Sequence, residues 1–186
     1  MKSNSTRDHV LDSALAQSRG FNAFSYADIA SELGVKKASI HYYFPSKHDL
    51  EVELLERYTT GFIAELDAIE RRTKGSVDKL RLYVDLYSAT LSNNRICLGG
   101  MMASDVGALP AQLAPALTFF FEKQIDWLAK VIKAGKHDGE LNFSESAQSQ
   151  ASVFLAALQG GLLIANAMDD DAVFKRLKKT LLTQLR

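Results

Sequence analysis

Residues 25–50, SYADIASELGVKKASIHYYFPSKHDL, constrain the fold of this chain more than any other segment. Ser25 and Asp28 have the spacing of an amino-terminal helix cap. Ile29, Ala30 and Leu33 supply one apolar face, and Gly34 stands where a helix should stop, free to take positive φ. Val35, Ala38 and Ile40 continue the buried side. Lys36, Lys37, Ser39, His41, Tyr42 and Tyr43 are left to face outward. A short helix, a glycine turn and a second helix rich in lysine, hydroxyl and tyrosine make a helix-turn-helix, whose second helix enters a DNA major groove. Lys36, Lys37 and Ser39 fall at the amino end of that helix, and lysine can donate to guanine O6 and N7. Ala38 leaves room for close backbone approach or a thymine methyl.

Helical spacing accounts for the rest of the chain. Val10, Leu11, Ala14 and Leu15 predict a first helix over 5–19, ended by Gly20, with Phe21 and Phe24 plugging it against the next two. Pro45 ends the basic helix, and Ser46 with Asp49 caps a long one to about residue 72. A further helix is expected over 76–92, with Leu80, Tyr83, Val84 and Tyr87 on one side. The stretch 93–110 reads as one short helix between loops. Pro110 or Pro115 opens a helix to about Ala134, Ser144 caps another to about Ala167, and Asp169–Asp171 sit at the amino end of the last, where the helix dipole favours them. The expectation is an all-α protein of about nine helices. Residues 1–48 form a three-helix DNA-binding domain, and 49–186 form a helical domain for effector binding and dimerisation.

Composition excludes several alternatives. The chain has 186 residues, 47% of them apolar and three of them proline, which rules out a disordered chain. No apolar run is expected to approach the roughly 20 residues that span a bilayer. The polar start lacks the core of a secretory signal, and one cysteine forms no internal disulfide, so a cytoplasmic protein without membrane contact is expected. The formal net charge of zero hides an asymmetry: residues 1–48 hold six Lys or Arg against four Asp or Glu, and lysines cluster at 36, 37 and 47. Phosphate attraction follows the local field rather than the whole-chain charge. No phosphate loop, dinucleotide fingerprint, HExxH or metal-spaced Cys/His set is present, so an enzyme, a metal site and a cofactor are not expected.

The run GVKKASIHYYFPSK after Ile29-Ala30 resembles the DNA-binding signature of the tetracycline-repressor (TetR-like) family of bacterial transcription regulators. The likeness covers about residues 7–55. Lys36 stands where the family usually has a small hydroxyl residue, which alters the helix cap, and His41 stands where it usually has tyrosine. By this resemblance Ser25, Tyr42, Tyr43 and Lys47 meet phosphates, with Tyr26 in the same DNA-binding set as Lys36, Lys37, Ala38, Ser39 and His41. Phosphate contacts set register and base contacts set sequence. The resemblance also implies a repressor, a palindromic double-stranded operator, and a small-molecule effector whose identity the sequence does not give.

Three further groups carry expectations. Met101, Met102, Phe119, Phe120, Phe121 and Trp127 could line an apolar pocket, with Tyr83, Tyr87 and Asp105 adding polar contacts. Cys97 follows Arg95 and opens a Cys-Leu-Gly-Gly-Met-Met segment. Its two readings are a small buried hydrophobe, or a thiolate sensor favoured by a cation and a helix amino end. By resemblance it lies where the family's pocket begins, and some relatives sense oxidants or electrophiles through a cysteine there. Val153, Ala157, Gly160 and Ile164, with Gly161 beside them, form a stripe of small and apolar residues, matched by Val173, Leu177 and Leu181 near the carboxyl end. The resemblance assigns both stripes to a homodimer interface; packing on the chain's own core is the other reading. The expected function is therefore an effector-released DNA-binding regulator. The competing classes are a helical small-molecule or protein-binding module and a cysteine-dependent enzyme.

Overall fold

The computed structural model describes residues 5–17, 25–92, 96–104, 111 and 113–184. Among these residues there are nine helices and no strand: α1 (Thr6–Gln17), α2 (Tyr26–Leu33), α3 (Lys37–Tyr43), α4 (Lys47–Arg72), α5 (Ser76–Ser92), α6 (Leu98–Ala103), α7 (Leu113–His137), α8 (Ala147–Met168) and α9 (Asp171–Gln184). Gly20, Phe21, Phe24, Arg95, Asp105 and Pro110 lie outside the described residues.

The helix boundaries follow from local chemistry. Ser25 and Ser46 each complete a reciprocal capping box, with Asp28 and Asp49 respectively. Gly34 closes α2 at φ 65°, in the left-handed region. Lys36 caps α3 with no side-chain bond, as the expected departure at that position implies. α7 begins at Leu113, so Pro115 lies in its first turn, where a missing N–H costs no intrahelical bond. Ser146, not Ser144, caps α8, because it is the Ser146 hydroxyl that accepts the Ser149 N–H at 3.0 Å.

Two apolar clusters divide the interior. One gathers Val10, Leu11, Ile29, Ile40 and Phe44 under the first three helices. It continues through Leu50 and Leu54 of α4 into Leu98, Met101 and Met102 of α6 and Leu113 and Leu117 of α7. The other joins α4, α5, α7, α8 and α9 around Tyr83, Val84, Phe120, Leu128 and Phe154. Tyr58, Ile96 and Phe121 pack against both clusters. Thus α4 and α6 physically connect the amino-terminal unit to the larger helical body. On α1, Arg7 pairs with Glu53 of α4, while Arg57 of α4 binds Asp8 at 3.2 Å and Asp12 at 2.6 Å.

α8 corrects one expectation. Its 22 residues contain no ionised side chain and are long and apolar enough to cross a bilayer, yet only 39% of its most apolar window is buried in this chain. One side packs on the body through Phe154, Leu158 and Leu162; the opposite side leaves Val153, Leu163, Ile164 and Met168 in solvent.

Candidate nucleic-acid interface and effector site

The capping box of α2, the glycine turn and the buried Ile40 fix α3 so that its amino end projects outward. Lys36, Lys37, Ala38, His41, Tyr42 and Tyr43 are exposed, Tyr42 to 81%, and Ser39 is half-buried. Ala38 therefore belongs to the outer face, not to the buried side expected of it. Tyr42 and Tyr43 meet edge to face at 5.1 Å, which presents two phenols together. His41 packs edge-on against the Tyr26 ring at 4.7 Å, with Nδ1 3.3 Å from the Pro45 carbonyl. Lys47 begins α4 beside α3 and lies 3.8 Å from the buried carboxylate of Glu51.

Tyr26 does not join this face. It is 6% exposed, and its hydroxyl donates to the carbonyls of Phe44 (2.9 Å) and Ser46 (2.5 Å). Those two carbonyls terminate α3 and precede α4, so Tyr26 ties three helices together. Burial, with the Asp49 and Glu51 charges, pushes its hydroxyl up to about 12, so it remains a donor. Ser25, expected to meet phosphate, already exchanges hydrogen bonds with Asp28 but stays exposed.

The residues expected around an effector do not line one open cavity; they split. Met101 and Met102 pack with the amino-terminal unit, whereas Tyr83, Tyr87, Cys97 and Phe120 lie in the other cluster. Phe119 is exposed, with Lys123 over its ring at 5.0 Å. Trp127 is half-buried, stacked on Tyr83 at 5.5 Å, and its indole N–H has no acceptor among the described residues.

What the second cluster holds instead is a largely buried polar network. The hydroxyls of Tyr83 and Tyr87 both donate to Gln124 Oε1, at 2.8 and 2.9 Å. Gln124 Nε2 donates back to the Phe120 carbonyl at 3.3 Å. Gln159 Nε2 donates to Tyr87 Oη at 3.1 Å and to Cys97 Sγ at 3.3 Å, and Tyr58 Oη reaches the same sulfur at 3.7 Å. Cys97 is 3% exposed. Burial above all, with Cys97 as a lesser cause, holds the phenols of Tyr58, Tyr83 and Tyr87 well above their ordinary range. Every member of this network that α4, α5, α7 and α8 contribute is neutral.

The glycines of the Cys-Leu-Gly-Gly segment are there for space. A Cβ on Gly99 would stand 2.3 Å from the Phe120 ring, and one on Gly100 2.5 Å from Gln159 Oε1. Beside the network, a cleft of about 420 Å³ opens between α6, α7 and α8, walled by Phe121, Ile125, Leu155 and Leu163, with Gln159 at its inner edge. Tyr58, Gln124 and Gln159 were not singled out from sequence. The available signal was a polar residue inside an apolar helical stripe, as Gln124 is between Phe120 and Leu128.

The stripes expected at a dimer interface also divide. Val153 (62% exposed) and Ile164 (53% exposed) face outward, a Cβ on half-buried Gly160 would meet nothing within 4 Å, and half-buried Ala157 packs against the chain's own core. Gly161 is buried, and a Cβ there would stand 2.1 Å from Leu177 of α9 in the same chain. Leu181 is buried as well, and Val173 and Leu177 pack on the core. Gly161, Leu177 and Leu181 therefore close α8 on α9 within one chain, which corrects their assignment to an intersubunit face.

Comparison with known proteins agrees with this geometry. The family model described as bacterial regulatory proteins, tetR family, matches residues 13–54. A TetR-family transcriptional regulator from Agrobacterium tumefaciens superimposes with a TM-score of 0.92 at 30% identity, covering 96% of each chain. A TetR transcriptional regulator from Legionella pneumophila does so with a TM-score of 0.88 at 33% identity, covering 100% of each chain. The transcriptional regulator AcuR of Cereibacter sphaeroides is 26% identical over 151 residues, which is 79% of this chain and 69% of that protein.

Proposed function

This chain belongs to the TetR family of bacterial transcriptional regulators, a DNA-binding family, and from that premise we propose that it is a homodimeric repressor released from a palindromic operator by a small effector acting at the network around Cys97. The observation that carries the reading is the junction at Tyr58. This residue packs against both apolar clusters while its hydroxyl touches Cys97, so a change at the sulfur is felt by the helix that begins at the DNA-binding unit.

The amino end of α3 supplies the base-reading groups Lys36, Lys37 and Ser39, and Tyr42, Tyr43 and Lys47 supply phosphate contacts. Two such helices set about 34–36 Å apart match successive major grooves on one face of a duplex. The uncovered apolar side of α8 is where a second copy packs, since Val153, Gly160 and Ile164 offer small and apolar groups that α9 leaves free. The effector enters through the cleft at Gln159 and exchanges hydrogen bonds with neutral groups, or modifies the Cys97 sulfur directly. Either event moves Gln159 and Tyr58, rotates α4 and spoils the groove spacing. To weaken the operator complex tenfold, the effector must favour the released form by about 1.4 kcal/mol.

Gel shifts on the chain's own upstream DNA test the reading. A specific complex at submicromolar protein, dissolved by N-ethylmaleimide in the wild type and not in Cys97→Ser, supports the covalent route. Equal behaviour of both proteins contradicts the covalent route, since Cys97 is the chain's one cysteine. Failure to prefer the upstream duplex over random DNA contradicts the operator assignment.

A further inference from the structure

Among the described residues Glu51 is the one carboxylate that is buried, at 2% exposure. It lies in the second turn of α4 and meets two side chains of the first. Lys47 Nζ stands 3.8 Å from Oε1, and His48 Nδ1 stands 3.2 Å from Oε2. Spacings of three and four residues put both on one face of the helix, flanking the same carboxylate. The His48 side chain is the more exposed of the two, 60% against 32%. Resting on the assignment of Lys47 to a DNA phosphate, we infer that His48 is a further phosphate-binding residue and Glu51 the residue that positions it.

Geometry decides which ring nitrogen reaches out. A carboxylate only accepts, so Nδ1 carries a hydrogen and donates it to Glu51. Nε2, on the far side of a mostly exposed ring, points away from Glu51. In the neutral ring it presents a lone pair, which a phosphate oxygen repels. In the protonated ring it donates a charged N–H to phosphate while Nδ1 keeps its bond. Affinity for DNA therefore rises as pH falls through the histidine range.

The surroundings favour the charged ring through Glu51. The first turn of a helix disfavours a cation, and a buried carboxylate, weakly screened, offsets that cost. Asp49 of the same turn is acidic as well, with its carboxylate engaged by Ser46. From the elements packed against this turn, α2 brings neutral Tyr26 and α3 brings His41, whose Nδ1 lies 3.3 Å from the Pro45 carbonyl. The exposed Tyr42 and Tyr43 also belong to α3, and α1 brings Arg7, paired with Glu53. None of these forms a hydrogen bond or ion pair with Glu51 among the described residues, so Lys47 and His48 share it.

Anisotropy isotherms of the upstream duplex and a scrambled duplex, over a salt series at about pH 6 and about pH 8, test the assignment. At the lower pH the wild type should bind both duplexes about fivefold tighter than His48→Asn does, with a salt slope larger by about one contact. At the higher pH the two proteins should bind alike. Asparagine keeps a donor for Glu51, and the site is exposed, so the fold is retained. Glu51→Gln keeps an acceptor without the charge and should shrink the rise in affinity from the higher pH to the lower. Wild type and His48→Asn that differ by the same factor at both pH values, or not at all, would overturn the assignment. So would a loss confined to the upstream duplex, or an undiminished rise in a folded Glu51→Gln protein. A wild type that binds both duplexes equally contradicts the operator reading alone; one that binds neither removes both.

Discussion

The exposed face of α3 and the Cys97 network are built in opposite ways. Around α3, exposed cations and phenols rest on a unit held by a local cap, Ser25 with Asp28, and by one tie across the three helices, Tyr26 with Phe44 and Ser46. Around Cys97, buried neutral groups are collected from residues 58, 83, 87, 124 and 159, and no two of the helices involved make sense of the arrangement alone. The first region presents its groups to solvent as it stands. The second exchanges hydrogen bonds only when something breaks into it. A satisfied, largely buried neutral network suits a switch because any entering group must displace a satisfied bond, which changes the geometry of the helices that carry it.

Five substitutions at four positions sharpen that contrast. Tyr26→Ala removes a buried ring and frees two carbonyls, and should cost about 4 kcal/mol in denaturant unfolding. Tyr26→Phe should cost far less and leave DNA affinity nearly intact, which separates support from contact. Gln124→Leu leaves the hydroxyls of Tyr83 and Tyr87 without their shared acceptor and should cost about 3 kcal/mol by the same measurement. A loss below about 1 kcal/mol would show that the network is not held as described.

Ser25→Ala should cost about 1 kcal/mol near pH 7 through loss of the cap. Hydrogen bonds from the Ser25 hydroxyl and backbone hold the Asp28 carboxyl below its ordinary value of 3.8. That contribution is fully present above about pH 4 and disappears as pH falls through the lowered value, so the difference between wild type and Ser25→Ala should narrow in acid unfolding. A gap that widens on acidification would contradict the cap. Lys47→Ala should change stability least. Binding to all duplexes should weaken alike, with the slope of log affinity against log salt falling by about one contact.

How legible each region was follows from the same difference. The capping boxes, the Gly34 turn and the outward lysines were readable because their partners lie within a few residues. Tyr26 was misassigned because its two acceptors, at 44 and 46, meet it only after three helices fold together. Tyr83, Tyr87, Cys97 and Phe120 were recognised as one region, but Met101 and Met102 went to the other cluster, since α6 is short and sits between both cores. Gln124 and Gln159 were hidden by chemistry: a lone glutamine on an apolar stripe has no visible partner until the facing helix arrives. On α8 the spacing of small residues was legible, but not its division into the face that receives Leu177 and the face left bare.

The claim on which the rest depends is that the amino end of α3 reads base edges. Isotherms for wild type and Lys37→Ala on the upstream operator and on a scrambled duplex, at one salt concentration, test it most directly. The account predicts an operator affinity reduced about tenfold or more, with scrambled-duplex affinity within a factor of about two and an unchanged melting temperature. An equal loss on both duplexes, or no loss on either, would contradict it.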